Sequence, residues 1–263
     1  RLQVELGRWL FWNTRDTDVL LVGDAGAIPY VSTRRSIDAL GLGGYRGVPF
    51  AKAAPHGEAA ILELLERLPP AERPTHLALF PNWFPETTAR FGRPIHAVSV
   101  ARPTIAAGPT KVAYTADFSA LRGPADRPPS PGDVAPGPPL AEVDVADVLS
   151  EEAAGYVHPA PNAGYTVVDV REGTFDGGRI VPEGREESFA LPHGGPAVLL
   201  ARVGDAAVEV EVVGAGRLAL DPPAPNRFRY GRARLPAIPG RVTVRALKGE
   251  LRSFHYWVFR AEP

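Results

Sequence analysis

The chain has 263 residues, 44% of them apolar and 22% charged, a globular balance that excludes wholesale disorder. A formal net charge of −1 supplies no global positive field, so nucleic acid is not an expected partner. There is no Cys, which excludes disulfides, thiolate metal sites and cysteine nucleophiles together, and no Met, which predicts a processed product or a piece of something longer.

Proline (29) and glycine (27) are both abundant, so short strands and turns are expected to outnumber long helices. No apolar run approaches the 18 or so residues that cross a bilayer, and no signal peptide is visible. Residues 2–12 predict a short helix, with Leu6, Trp9 and Leu10 at helical spacing. Residues 18–22 (DVLLV) predict a strand buried on both faces, broken by the turn chemistry of GDAGAIP. A glycine-rich stretch, GLGGYRG, occupies 41–47. Residues 57–68 predict the clearest helix: Ile61, Leu64, Leu65 and Leu68 form the apolar stripe, with Glu63 off it, and Pro69-Pro70 ends it. Strands are expected at 75–80, 95–100 and 111–114. Together these predict an α/β layer over 1–122 with some parallel pairing.

Residues 123–139 hold seven prolines and no apolar period, and read as a linker or surface strap. Beyond it, over 140–263, the pattern turns to strands. Residues 207–213 alternate strictly, with Val208, Val210 and Val212 on one face. Val242, Val244 and Ala246 repeat the pattern, as do Phe254, Tyr256 and Val258, and further strands are expected at 165–170, 186–191 and 197–203. This predicts an antiparallel, jelly-roll-like β-sandwich. The expected fold class is therefore α/β plus β.

Motifs for chemistry are sparse. A phosphate or methyl-donor loop after DVLLV needs a helix N-terminus behind the glycines, and no amphipathic period starts at Ile28-Pro29-Tyr30. In GLGGYRG the G-x-G-x-x-G spacing fails at Arg46, and tight turns account for the same glycines. His193-Gly194-Gly195 lacks a serine elbow and reads as a hairpin turn. The six histidines show no metal-ligand spacing, so neither metal nor cofactor is expected. Asp169, Glu172 and Asp176 could approach a calcium ion, although solvated loops account for them better. Asp24 follows a buried strand, where open α/β sheets place catalytic or binding carboxylates; capping its own glycine turn is the competing role. Trp83, with Asn82, lies in the proline-bracketed PNWFP, where an exposed ring could stack on a sugar or pack inward. Trp9, Trp12 and Trp257 are expected to be packing residues.

Residues 9–44, WLFWNTRDTDVLLVGDAGAIPYVSTRRSIDALGLGG, resemble a segment following the last membrane helix of bacterial multi-pass GT-C-fold glycosyltransferases, similar to polyprenyl-phosphate-mannose and arabinofuranose transferases. The matching positions are Trp9, Leu10, Asp24, Ala25, Gly26, Ile28, Tyr30, Ile37, Asp38, Gly41 and Leu42. DVADVLSEEAAGY, FDGGRIVPEGREESF and FHYWVF resemble the strand-rich tail of such proteins. The resemblance implies a periplasmic or extracytoplasmic domain tethered to a membrane-embedded remainder, which is its expected partner together with an acceptor glycan. The family's catalytic carboxylate sits in a loop absent from these residues, so no catalytic residue is expected here. Asp24, Tyr30, Asp38, Asn82 and Trp83 are the candidate carbohydrate contacts; Asp24 and Asp38 could instead be architectural, and Gly26 and Gly41 read as backbone devices. Two other classes remain: a free-standing hydrolase or transferase with its site near Asp24, and a purely structural interaction module.

Overall fold

The computed structural model describes residues 1–101, 107–122, 137–160 and 162–262. The chain divides into two compact units, Arg1–Leu121 and Arg122–Pro263. Of the proline-rich segment, 123–136 lie outside the described residues.

Unit one is an α/β layer. In chain order it comprises α1 (Leu2–Asn13), β1 (Val19–Val22), α2 (Ala27–Ser32), β2 (Arg35–Asp38), α3 (Phe50–Ala53), α4 (Glu58–Glu66), β3 (His76–Leu79), α5 (Pro85–Phe91), β4 (Gly92–Ser99) and β5 (Thr110–Ala116). The sheet runs β2-β1-β3-β5-β4, with β1 parallel to β2 and β3 and the β5 pairings antiparallel. Leu20 and Val22 of β1 and Ala78 of β3 pack with Leu2, Leu6 and Leu10 of α1. By the two-residue period, Leu21, Leu77 and Leu79 point to the other face, where they are equally buried. The sheet is therefore covered on both sides, as the run DVLLV predicts.

Two local readings need correction. A helix does start behind the glycine turn: α2 begins at Ala27, with Pro29 tolerated in its first turn, where no intrahelical N–H is needed. It spans six residues, too short to show a period. Glu63, off the apolar stripe of α4, is buried with it. Trp12 is 80% exposed and meets only the edge of its neighbour Phe11 among the described ring contacts, so it is not a core residue, whereas Trp9 stacks on His96 at 4.4 Å. Gly26 (φ 130°) and Gly41 (φ 77°) are backbone devices, and a Cβ on Gly41 would lie 2.0 Å from the Ala51 nitrogen.

Unit two is an antiparallel β-sandwich. Its elements are β6 (Ala141–Asp144), α6 (Val148–Ala153), β7 (Thr166–Arg171), β8 (Thr174–Val181), β9 (Glu186–Ala190), β10 (Ala197–Val203), β11 (Glu209–Val212), β12 (Gly216–Arg217), β13 (Ala219–Leu220), β14 (Arg229–Leu235), β15 (Arg241–Lys248) and β16 (Leu251–Arg260). The larger sheet runs β13-β14-β10-β16-β8-β7, with β6 pairing the C-terminal half of β16; the smaller runs β12-β11-β15-β9. Between them lies one core, to which β10 gives Leu199, Ala201 and Val203, β11 Val210 and Val212, β15 Val242, Val244 and Ala246, and β16 Tyr256 and Val258. Here the alternation predicted at 207–213 and 242–246 is realised. β6, β8 and β14 were not expected from the sequence. β16 is buried on both faces, carrying His255, Trp257 and Phe259 opposite Tyr256 and Val258.

Candidate functional site

In unit one, β1, β2 and β3 run parallel, so their C-terminal ends share an edge. The order β2-β1-β3 makes the chain leave β1 on one side and return on the other, a topological switch point. Asp24 lies just past β1 and the Phe80–Trp83 turn just past β3. β5 runs antiparallel to β3, which brings Lys111 to the same edge beside Val112, the partner of Leu79.

Asp24 accepts hydrogen bonds from Lys111 Nζ and Gln3 Nε2. The Lys111 side chain is fully buried, and its ammonium stands 4.5 Å from the Phe80 ring centroid. Burial lowers the Lys111 pKa, against the pull of Asp24. Phe80 lies 5.6 Å from the Trp83 ring, so Asp24, Lys111, Phe80 and Trp83 form one continuous line of contacts. Trp83 is 45% exposed, and Asn82 Nδ2 donates to the Ala107 carbonyl at 3.3 Å.

The five sequence candidates thus separate. Asp24, Asn82 and Trp83 share the edge. Tyr30 is strongly exposed on α2, outside that line of contacts. Asp38 is buried, and its carboxylate accepts from the Leu40 and Gly43 nitrogens at 3.0 and 2.9 Å. Those bonds close the loop after β2, the architectural role that the sequence also allowed for it. Lys111 and Gln3 escaped the sequence reading: one lies 87 residues from Asp24 and the other 21, and neither carries a motif.

In unit two the outer face of the larger sheet carries a polar row. Tyr230 of β14 is in register with Arg202 of β10, Arg202 with His255 of β16, and His255 with Asp144 of β6. Arg202 donates to Asp176 of β8 at 2.6 Å and to the Tyr230 hydroxyl at 3.2 Å. His255 faces Glu142 at 2.9 Å and Asp144 at 3.4 Å, and stacks on Trp257 at 4.0 Å. Burial alone would lower the His255 pKa; Asp144 and Glu142 overrule it and hold the imidazole up at about 9. Burial raises the Asp176 carboxyl to about 7 against the pull of Arg202.

Asp144, Asp176 and His255 bring one ligand atom each within 4.8 Å of the others. Each already has a protein partner in the row: Asp176 takes Arg202, and His255 lies between Asp144 and Glu142. The cluster fits an internally compensated row better than a metal centre. Among the described residues the loop carboxylates considered for calcium do not group together, and each takes an arginine: Asp169 takes Arg171, Glu172 takes Arg227 and Asp176 takes Arg202. Trp257 is buried, as a packing residue should be.

Residues 1–127 match the model of a domain of unknown function, DUF8728. No curated protein matches the chain. Among solved structures, it is similar to a family GH115 4-O-methyl-alpha-glucuronidase, BtGH115A, with specificity for decorated arabinogalactans. That likeness has 8% identity and a TM-score of 0.31, over 54% of this chain and 20% of that one. It is also similar to a carbohydrate-binding module (CBM6cm-2) from Cellvibrio mixtus lichenase 5A in complex with cellotriose, at 13% identity and a TM-score of 0.31. There 47% of this chain and 99% of that one are covered. At these values neither likeness assigns a ligand or an activity to this chain. Among the described residues no helix is long and apolar enough to cross a membrane.

Proposed function

We propose that the chain is a non-catalytic, glycan-contacting domain on the extracytoplasmic side of a membrane-embedded glycosyltransferase, where it touches acceptor glycan or braces the membrane core. The glycan part is carried by one observation: the Trp83 ring is 45% exposed on a proline-bracketed turn at the switch-point edge, backed by Phe80. A half-exposed ring held by a second ring is a platform for the apolar face of a sugar, and Asn82 beside it carries hydroxyl-bonding groups. The membrane setting is supported by the resemblance of residues 9–44 to the segment after the last membrane helix of GT-C transferases.

A small-molecule enzyme centred on Asp24 would need the carboxylate or its lysine open to substrate. Lys111 is instead buried between Asp24 and Phe80, and the Asp24 carboxylate, 24% exposed, is taken on its two oxygens by Lys111 and Gln3, as in a brace. The test is calorimetric titration of the chain with mannosyl and arabinofuranosyl oligosaccharides. Trp83→Ala should weaken binding about tenfold, with the thermal midpoint moved by no more than about 2 °C. Unchanged affinity, or a collapse of the midpoint, would assign Trp83 to packing. Robust turnover of sugar nucleotides or esters would move the reading to an enzyme.

A further inference from the structure

Unit two carries a cavity of about 510 Å³, the size of a small-molecule site, on the face of the larger sheet. Its walls come from the tip of the β7–β8 hairpin, the end of β10, and the loop leading into β14. Four guanidinium groups line it, those of Arg171, Arg202, Arg227 and Arg229, against two carboxylates, Glu172 and Asp221. The half-buried rings of Phe228 and Tyr230 complete the wall.

The arginines differ in what holds them. Arg171 is taken by Asp169 at 2.9 Å and Asp205 at 3.3 Å, and Arg202 by Asp176 at 2.6 Å. Arg202 also lies against the two rings, 4.9 Å from the Phe228 centroid and 5.6 Å from that of Tyr230, so its charge is taken up by Asp176 and the aromatic wall. Arg229 is different. Among the described residues it donates to two backbone carbonyls, of Asp221 and of Ala206, while the Asp221 carboxylate pairs with Arg232. The carbonyls orient the guanidinium without cancelling its charge. Arg227 pairs with Glu172 at 2.8 Å, but both side chains are more than half exposed, at 65% and 56%. Such a pair is worth little and exchanges readily for a better acceptor. Two guanidinium groups at one wall can therefore accept an oxyanion, with a ring surface beside them.

We propose that this cavity is a binding site for a small ring-bodied ligand bearing a carboxylate or phosphate group. Its anion sits on Arg227 and Arg229, and its ring lies against Tyr230 and Phe228. The site belongs to unit two and does not rest on the glycan reading of Trp83 in unit one.

The chain is titrated at low salt with galactose, galacturonate, galactose 6-phosphate and inorganic phosphate, followed by calorimetry and amide NMR. At least one of the two anionic sugars should bind about tenfold more tightly than galactose, moving amides in 171–174 and 221–230. Which anion is preferred separates carboxylate from phosphate. Arg229→Gln and Arg227→Gln should each weaken that binding about tenfold. Glu172→Gln, which releases Arg227, should tighten it. The exposed Arg227 and Glu172 variants keep the test readable if Arg229→Gln disturbs its loop. Equal affinity for galactose and both anionic sugars, shifts elsewhere, or affinities unmoved by Arg227→Gln and Glu172→Gln would overturn the proposal. Inorganic phosphate binding as tightly as galactose 6-phosphate would overturn the role of the rings.

Discussion

Arg34 shows how one side chain sets the local order of unit one. α1 ends at Asn13 with no basic residue in its last turn. Arg34, buried and distant in sequence, supplies the missing charge: it donates to the Phe11 and Thr14 carbonyls at 2.7 and 2.8 Å and to the Thr14 hydroxyl at 3.0 Å. A cation there satisfies orphan carbonyls and meets the negative end of the helix dipole. Its contact with Asp16 adds little, because that carboxylate is 96% exposed. Arg34→Ala should therefore cost unit one on the order of 2–4 kcal/mol, through stranded carbonyls rather than a lost surface pair. Asp16→Ala should cost under about 0.5 kcal/mol. Urea unfolding of the two variants checks the contrast, and equal losses would refute it. Asp24 follows the same logic as Arg34: a residue legible from its motif is held by partners, Lys111 and Gln3, that only the fold supplies.

At the scale of elements, legibility followed period. β1, β10, β15 and β16 carry continuous or alternating apolar runs, and the sequence shows them directly. β8 reads as a loop because TFDGGRIV combines two glycines with charges. The structure gives a reason for Gly178: a Cβ there would lie 2.5 Å from the Ser253 carbonyl oxygen on β16. Glycine permits the close crossing where β8 pairs with Leu251–Ser253. β14 was hidden by Arg229, Arg232 and Arg234, yet Gly231, Ala233 and Leu235, in alternation along the same strand, are buried. The cavity of unit two was illegible because its arginines come from a hairpin tip, a strand end and a loop with no shared spacing. The edge in unit one was legible because Asp24 and Trp83 each follow a recognisable strand. Gly178→Ala should destabilise unit two by about 2–3 kcal/mol, since backbone cannot yield as a flexible side chain can. Amide exchange should accelerate across β8 and the first residues of β16. Protection unchanged in both strands would count against a tight crossing.

For the molecule as a whole, the two units use charge differently. Unit one sets a Lys111–Asp24 pair at its switch point, whereas unit two strings Tyr230, Arg202, His255 and Asp144 across four strands, with Asp176 and Glu142 alongside. That row should make the β-sandwich sensitive to alkali. His255 holds its proton up to about 9, above the ordinary value of 6.5, because Asp144 and Glu142 outweigh its burial. A pKa raised on folding contributes stability that is fully present below 6.5 and is lost as pH rises through 9. Asp176, raised to about 7, acts in the same direction over a lower range. The His255 contribution is on the order of 3 kcal/mol, so unit two should weaken steadily between pH 6.5 and 9. NMR titration of the His255 ring should give an apparent pKa well above 7, falling in Asp144→Asn. His255→Gln should be less stable at pH 6.5 and lose most of the slope above it. An imidazole that titrates near 6.5, or an identical alkaline slope in His255→Gln, would show that the row is held by its packing rather than by its charges.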